Sequence, residues 1–336
     1  MRAVVLEEPR RVAALQRPEP QPTPQQALVR LRTGGICGSD LAAYRGQSPL
    51  VSYPRVLGHE LVVDVRECPS QPELVGKRAV IEPLAPCGRC RACLLGRRNC
   101  CMRLQVMGVH IDGGFSDRFA VDVQQLYAVP DEMPDELAAL AEPTSIAYRA
   151  VQRAEITAGR VAVVFGAGTI GLLIASLLIN ARGCRVLVID LDPRRLAVAE
   201  RIGATPVAGD REALMQAVAQ ATGGDGADVV FEATGSAACT RLTTDLVAHA
   251  GRIVLIGWNK GPVEFDTVTL MRKEAEVYGS RNSVGAFPSV LRLLADGAVD
   301  PGIFVTHRFA LDEAERALQL LDHGDELALK ILLQAG

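Results

Sequence analysis

Four cysteines lie within fifteen residues and form the strongest chemical signal in the chain; they are Cys87, Cys90, Cys93 and Cys101. Thiolates at these spacings can meet at one point only if the chain curls around it, as a tetrahedral four-thiolate zinc site requires. Such a site is closed to substrate, so we expect zinc here to stabilise a lobe with little core of its own. Cys100 is adjacent, but neighbouring side chains diverge, and we therefore take Cys101 as the fourth ligand.

The cysteine cluster is also compatible with arrangements that hold no zinc. The four residues could be a chance group of small buried side chains. A disulfide framework fits poorly with 336 residues, nine cysteines and no secretory signal. The two short spacings do not exclude an iron–sulfur cluster. A structural zinc is the prediction that we carry forward.

A glycine-rich segment indicates a nucleotide site in the second half of the chain. The candidate cofactor-binding residues are Gly166, Gly168, Thr169, Ile170 and Gly171. They follow an apolar, strand-like run and precede a helical pattern, which is the context of a dinucleotide-binding G-x-G-x-x-G motif. The three glycines would permit a tight turn, a close approach of backbone to pyrophosphate, and close packing of helix on strand. Free N–H groups at the helix N-terminus would then face the phosphates.

Asp190 ends the next predicted strand, where a carboxylate accepts hydrogen bonds from the ribose hydroxyls of NAD and repels the 2′-phosphate of NADP. Arg194 and Arg195 follow closely, and a guanidinium there could bind a 2′-phosphate; we include Arg195 among the cofactor-binding candidates. The alternative is a glycine turn without a ligand, with Asp190 capping the next helix. The sequence therefore predicts NAD as the cofactor.

A second set of potential metal ligands is dispersed through the first half of the chain. Cys37, His59 and a carboxylate would provide three protein ligands and leave a fourth position for water or substrate, as in a catalytic zinc site. Glu60 and Glu142 are the candidate carboxylates. Taken singly, these residues could be a small buried cysteine, a core histidine and a carboxylate at a helix start. Their occurrence beside a four-cysteine lobe and a dinucleotide motif favours catalytic zinc.

The elements that must position these residues change character near residue 150. The first part is rich in proline, glycine and short strands, predicted at Ala3–Leu6, Ala27–Arg32, Leu61–Val65 and Arg78–Glu82. Strands and helices then alternate, which predicts an α/β fold with a parallel sheet covered on both faces. In this part we predict strands at Val161–Phe165, Arg185–Asp190, Asp228–Ala233 and Arg252–Ile256, and helices at Thr169–Ala181, Pro193–Ile202 and Ala237–His249.

The change in pattern near residue 150 predicts that the chain is divided into three segments. Residues 1–148 form a β-rich domain that includes the cysteine lobe at 87–101, residues 149–285 form the nucleotide domain, and residues 286–336 return to the first domain. A net charge of −3, with 22% charged residues, gives no reason to expect a nucleic acid or a membrane as partner. Free cysteines and an N-terminus unlike a signal peptide predict a cytoplasmic location.

With these motifs the chain resembles the zinc-dependent medium-chain dehydrogenases/reductases of the sorbitol and threonine dehydrogenase type. The resemblance rests on Gly35–Asp40, Gly58–Glu60, the four-cysteine lobe, Glu142-Pro143 and Gly166–Gly171. It implies a GroES-like catalytic domain, a doubly wound Rossmann domain, two zinc ions per chain and NAD. It also implies catalytic zinc on Cys37 and His59 plus carboxylates, with the choice between Glu60 and Glu142 varying within the family. We expect a homodimer or homotetramer.

The resemblance also implies a reaction. Zinc lowers the pKa of a substrate hydroxyl, and hydride passes from the carbinol carbon to NAD⁺. Ser39 matches the family hydroxyl that relays the proton outward, although it could also be a turn serine that bonds its own backbone. Ala42 stands where many family members have a histidine that ends the relay, so the relay here must end on water or another group.

Several stretches, including Gly279–Asn282, resemble bacterial sugar-acid dehydrogenases, which oxidise hexonates such as L-galactonate or L-gulonate at carbon 5. Arg281 is the candidate partner for a substrate carboxylate, and Asn282 and His110 are candidate partners for hydroxyls. A surface ion pair is the alternative for Arg281. The competing functions are a short-chain, secondary-alcohol or threonine-type dehydrogenase, and a non-catalytic cofactor-binding protein.

Overall fold

The computed structural model describes residues 1–259 and 261–336, and these form two compact units. The first unit contains Met1–Glu142, Phe287–Ala295 and Asp300–Gly336, and the second contains Pro143–Ala286 and Asp296–Val299. The first segment of the first unit thus ends at Glu142, whereas the sequence predicted a boundary at residue 148. The chain returns to this unit at Phe287, close to the predicted residue 286. Within the described residues, no helix has the length and apolar composition needed to cross a membrane.

The strands are β1 (Arg2–Glu8), β2 (Arg11–Gln16), β3 (Gln26–Ile36), β4 (Arg55–Val56), β5 (Glu60–Glu67), β6 (Arg78–Ile81), β7 (Leu84–Ala85), β8 (Gln105–Val106), β9 (Arg118–Asp122), β10 (Leu126–Ala128), β11 (Val161–Phe165), β12 (Arg185–Ile189), β13 (Thr205–Val207), β14 (Ala227–Glu232), β15 (Val247–Leu255), β16 (Glu276–Gly279), β17 (Val305–Ala310) and β18 (Lys330–Gln334).

The α-helices are α1 (Gly38–Tyr44), α2 (Arg91–Leu94), α3 (Asp135–Ala138), α4 (Ala141–Ala154), α5 (Thr169–Asn180), α6 (Pro193–Arg201), α7 (Arg211–Thr222), α8 (Ala237–Leu246), α9 (Thr267–Lys273), α10 (Phe287–Ala295), α11 (Pro301–Phe304) and α12 (Ala314–His323). Short 3₁₀ turns occur at Pro72–Leu74, Arg98–Cys100, Val123–Gln125 and Leu311–Glu313.

Strand β3 is the central element of the first unit. It pairs antiparallel with β5 on one side and with β18 on the other. Val29 and Leu31 alternate with less buried neighbours, so one face of β3 packs into the core of this unit. The sheet order is β10-β6-β5-β3-β18-β17, and β9 pairs with the first half of β3. Strand β18, near the end of the chain, joins this sheet, in agreement with the predicted return of residues 286–336 to the first domain.

The pairing of β3 explains how distant residues meet. Strand β3 ends at Ile36, directly before Cys37, and β5 begins at Glu60, directly after His59. Antiparallel neighbours bring the end of one strand beside the start of the next, so these sequence-distant side chains lie together. On the other side of β3, Ile331 of β18 is opposite Ile36, which places Lys330 at the same level.

The second unit is the predicted parallel sheet. Its six strands lie in the order β13-β12-β11-β14-β15-β16, and all five pairs are parallel. The strand order reverses between β11 and β14, and at such a point the loops beyond the carboxyl ends leave a crevice for ligand. One helix prediction was too long: α8 ends at Leu246, and residues 247–249 already belong to β15, because Val247 is buried at the start of that strand.

Candidate active site

Three of the predicted catalytic-zinc ligands converge in the first unit. The potential ligand atoms of Cys37, His59 and Glu60 all lie within 4.8 Å of one another. Cys37 is the N-cap of α1 and is half-buried, whereas His59 and Glu60 are buried. A thiolate, an imidazole and a carboxylate at this spacing form a donor set typical of a catalytic zinc site.

Asp40 supports this cluster and was not singled out from the sequence. Its side chain is 1% exposed, and its Oδ2 accepts a hydrogen bond from the Cys37 backbone N–H at 2.9 Å. Its Oδ1 lies 3.7 Å from His59 Nδ1. Burial raises the pKa of Asp40 above its ordinary value, with His59 opposing the shift. A carboxylate behind a ligating histidine orients the ring, as in many metal sites.

Lys330 is the second residue that sequence analysis missed. It is 2% exposed, and its Nζ contacts the two carboxylate oxygens of Glu60 at 2.6 and 2.5 Å and donates to the Ile36 carbonyl at 3.1 Å. Burial disfavours the charged amine, but Glu60 and Cys37 together raise the pKa of Lys330 above its ordinary value. Lys330 is 270 residues from Glu60 in the sequence. The two residues meet because β18 pairs with β3.

Glu142 lies in the first turn of α4 and is buried. Burial raises the pKa of Glu142 to about 7, and Glu60 adds to the shift while His59 and Lys330 oppose it. Glu142 therefore lies within the electrostatic range of the cluster. It is not a member of the group whose ligand atoms lie within 4.8 Å, which contains Glu60 instead.

Ser39 lies in the first turn of α1, and its hydroxyl is 3.4 Å from His59 Nε2. Burial opposes a charged imidazole, but Asp40 and Cys37 raise the pKa of His59 well above its ordinary value. Ser39 is exposed whereas His59 is buried. A hydroxyl in this position has solvent on one side and the ligand cluster on the other, as a proton relay requires.

The donor set fits a dication. Asp40 Oδ1 and His59 Nδ1 are buried atoms without a hydrogen-bond partner among the described residues, and they face one another. The cluster contains three buried carboxyl groups, from Asp40, Glu60 and Glu142, and the thiol of Cys37. Lys330 is the buried cation beside them. Such an excess of acidic groups is stabilised by a bound metal ion. Zinc therefore suits these residues, with Cys37 and His59 as its sulfur and nitrogen donors.

The four cysteines of the lobe also converge. The sulfur atoms of Cys87, Cys90, Cys93 and Cys101 lie within 4.8 Å of one another. The Cys87 backbone N–H donates to the Cys101 thiol at 3.2 Å. Cys100 is exposed and does not belong to the group. Backbone N–H groups lower the pKa of Cys87 to about 5, whereas burial raises the pKa of Cys93 to about 12. Four sulfurs around one point fit structural zinc.

The predicted glycine motif forms the turn between β11 and α5 in the second unit. Gly166 has φ +97°, and Gly168 is the N-cap of α5, which begins at Thr169 and continues through Ile170. A Cβ at Gly171 would lie 1.8 Å from the Gly166 carbonyl oxygen, so only glycine fits. The turn thus has the close helix–strand packing of a dinucleotide-binding loop.

Asp190 follows β12 and is tied to this turn. Its Oδ2 accepts from the Ala167 N–H at 2.6 Å, and its Oδ1 accepts from the Asp192 N–H at 2.9 Å. The two following arginines differ in position. Arg194 donates to both carboxylate oxygens of Asp192 and lowers the pKa of Asp192 to about 2. The Arg195 guanidinium instead lies 3.3 Å from the place of a Cβ on Gly168, directly over the glycine turn.

The predicted substrate residues lie in different units. His110 is in the first unit, where its Nδ1 accepts from the Val106 N–H at 3.1 Å. Arg281 is in the second unit, with its guanidinium 5.7 Å from the centre of the Trp258 ring. Asn282 follows with φ +45°. The Arg281–Trp258 contact is a cation–π interaction at an exposed position.

Comparisons with known proteins agree with this geometry. The alcohol dehydrogenase GroES-like domain model matches residues 23–131, and the zinc-binding dehydrogenase model matches residues 169–296. An uncharacterized zinc-type alcohol dehydrogenase-like protein of Haemophilus influenzae is 36% identical over 98% of each chain. L-galactonate-5-dehydrogenase of Escherichia coli is 36% identical over 92% of each chain. A solved structure of a short chain alcohol dehydrogenase (rspB) of Escherichia coli, complexed with NADH, has a TM-score of 0.94 and 30% identity, with 99% of each chain covered.

A GroES-like unit with convergent zinc ligands and a Rossmann unit define a zinc-type dehydrogenase. The chain belongs to the zinc-binding alcohol dehydrogenase family and is an NAD(P)-dependent zinc oxidoreductase that acts on alcohol or polyol hydroxyls. The predicted family, fold class and enzyme class, and the use of zinc with a nicotinamide cofactor, are therefore confirmed.

Proposed function

We propose that this enzyme oxidises a secondary hydroxyl of a sugar acid or polyol, such as the hexonates L-galactonate or L-gulonate, to the ketone. The observation that carries the proposal is the 36% identity over 92% of each chain with a protein named L-galactonate-5-dehydrogenase. The sequence around Arg281 supports it, because a guanidinium can bind a substrate carboxylate through charge-assisted hydrogen bonds. An aromatic content of 4% provides few surfaces for a large apolar alcohol.

The chain's own residues have distinct roles in this proposal. Cys37 and His59 hold the metal with a carboxylate from Glu60 or Glu142, and Asp40 orients the His59 ring. When bound, zinc supplies Lewis acidity at the substrate hydroxyl and NAD⁺ supplies the hydride acceptor. Ser39 takes the hydroxyl proton outward. The carbinol carbon loses hydride and its oxygen loses a proton, which leaves the ketone.

Asp190 provides a test of the choice between NAD and NADP. Replacing it by alanine removes charge-assisted bonding to the ribose worth about 1.5–3 kcal/mol in total, so we expect NAD affinity to fall roughly ten- to a hundred-fold. Discrimination against NADP should weaken in the same variant. Steady-state kinetics with both cofactors measure this, and Asp210→Ala is a matched control because Asp210 is an exposed cap of α7. A wild-type preference for NADP would overturn the assignment.

The substrate class is tested by following NADH formation with hexonates, neutral polyols, L-threonine and propan-2-ol. We expect the highest kcat/KM for a hexonate. Arg281→Ala should lower kcat/KM for the acid at least about tenfold more than for the matching neutral polyol, since a charge-assisted pair is worth about 1.5–3 kcal/mol. Arg201→Ala, an exposed arginine at the end of α6, should leave the ratio unchanged. Equal losses on both substrates would show that Arg281 is structural.

A secondary-alcohol or threonine-type dehydrogenase is the alternative, and the same panel separates it. We further propose a cytoplasmic homodimer or homotetramer. Sedimentation of the purified enzyme tests the assembly, and a monomer at micromolar concentration would contradict it.

A further inference from the structure

Glu232 carries a fully buried carboxylate that the proposed chemistry does not use. It is the last residue of β14 and is 0% exposed. Its Oε1 accepts from the Thr234 N–H at 2.8 Å and from the Gly235 N–H at 3.1 Å, and it also accepts from the Thr234 hydroxyl. No ammonium or guanidinium group in the described part of the chain forms an ion pair with it. Burying a carboxylate without a cation costs free energy unless hydrogen-bond donors surround it. The Glu232 carboxylate therefore holds the turn that carries these donors in a fixed conformation.

The same residue joins two neighbouring turns. Its backbone carbonyl accepts from the N–H groups of Ile256 and Gly257 at 2.9 and 3.0 Å, just after β15. The Thr234 hydroxyl also accepts from the Ser236 N–H at 2.9 Å, directly before α8. Glu232 therefore fixes the turn after β14 through its side chain and the turn after β15 through its main chain.

These turns lie at the point where the strand order of the sheet reverses. Strand β14 is the neighbour of β11 on the side opposite to β12 and Asp190. The Thr234 methyl carbon is 3.0 Å from the place of a Cβ on Gly166, the first glycine of the nucleotide turn. A Cβ on Gly257 would lie 2.1 Å from the Gly235 N–H nitrogen, so the two turns pack backbone to backbone.

We propose that Glu232 is a positioning residue for the dinucleotide site, which holds the Thr234–Gly235 turn as the wall opposite Asp190. In an open parallel sheet the ligand occupies the crevice where the strand order reverses, and loops on both sides of that point contact it. The glycine turn and Asp190 form one side, and the Thr234–Gly235 turn forms the other. The inference rests on the dinucleotide cofactor of the proposed function and is independent of the alcohol substrate.

The test is NADH affinity in zinc-loaded enzyme, measured by energy transfer from tryptophan to bound NADH. Trp258 is the sole tryptophan, and its carbonyl oxygen lies 2.6 Å from the place of a Cβ on Gly235, so the backbone of this residue adjoins the turn. Glu232→Gln removes the negative charge from this group of donors. It also replaces Oε2, which accepts from the Gly235 N–H at 3.3 Å, by an NH2 group that cannot accept. We expect Kd for NADH to rise at least about tenfold, and KM for NAD to rise far more than KM for the alcohol.

Two threonine variants provide a second measurement in case Glu232→Gln does not fold. Thr234→Val removes the hydroxyl and should raise Kd several-fold, whereas Thr234→Ser keeps it and should remain within about twofold of wild type. Thr222→Val is the matched control, because the Thr222 hydroxyl accepts from the Gly226 N–H just before the opposite end of β14. It should lower Tm without changing Kd.

The outcomes separate the inference from the proposed function. If Glu232→Gln or Thr234→Val lowers Tm while Kd stays within about twofold of wild type, Glu232 is only a structural residue and the inference is wrong. If wild-type enzyme fails to bind NADH, the cofactor assignment itself fails. If NADH binds as expected but hexonates are not oxidised, only the substrate proposal is lost.

Discussion

The two metal-ligand clusters of the first unit reach the same convergence by different routes. The lobe cluster takes all four ligands from fifteen consecutive residues, and its buried core consists of Leu84, Leu104 and two of the cysteines, Cys93 and Cys101. The cluster of Cys37, His59 and Glu60 draws on the ends of two paired strands and on β18. It is surrounded by buried charges, chiefly Asp40, Glu142 and Lys330.

The difference indicates a division of labour. A closed set of thiolates with few packed neighbours needs the metal to hold its lobe together. A cluster built into a large sheet is held in place by the fold. Its metal does not need a fourth protein ligand and can keep one coordination position open for substrate. Ligand removal should therefore affect activity at one site and local stability at the other.

The largest effect is expected for Cys37→Ala. Losing a catalytic-zinc ligand removes several kcal/mol of transition-state stabilisation, so kcat should fall at least about 1000-fold. Zinc content should drop by about one ion per chain, with little change in Tm because the sheet positions the remaining residues. Steady-state kinetics, elemental analysis and calorimetry measure these quantities. Cys100→Ala is the control, since Cys100 is exposed and outside both clusters; near-normal kcat in Cys37→Ala would refute the catalytic role.

Lys330→Met should have the next largest effect. It leaves the Glu60 carboxylate buried without its cation, and breaking a buried pair typically costs about 3–5 kcal/mol of the free energy of unfolding. Urea unfolding of the zinc-loaded protein measures the loss. Adding Glu60→Gln to Lys330→Met should recover most of the stability, because the unpaired charge is then removed. A loss below about 1 kcal/mol would mean that the metal, and not Lys330, neutralises Glu60.

Cys90→Ser should have the smallest effect on turnover. We expect the loss of about one zinc ion per chain and local opening of the lobe, while kcat at room temperature stays within about twofold of wild type. Trypsin provides a direct measurement, because the lobe contains Arg89, Arg91, Arg97 and Arg98. Cleavage there should be at least about tenfold faster than in Cys100→Ala. If kcat falls in parallel with lobe cleavage, the two clusters are coupled and the division of labour is wrong.

The sequence alone determined the features that depend on local spacing. The four cysteines, the glycine turn and Asp190 each lie within one short segment or one strand–turn–helix unit, where chain geometry restricts what the residues can do. The continuous apolar run Val161–Phe165 likewise predicted a buried strand of a parallel sheet, and the structure confirms it.

Tertiary structure decided the features that depend on pairing between distant strands. Lys330 has no signal in the sequence, because a lone lysine in a terminal strand is ordinary until its neighbours are known. Asp40 lies in a stretch that carries the resemblance, but its role follows only from its position beside His59. The register of β18 on β3 brings Lys330 to Glu60. Likewise, the strand order of the parallel sheet places Glu232 opposite Asp190. Pairing and strand order arise from burial over the whole sheet, so no local pattern records which side chains they bring together.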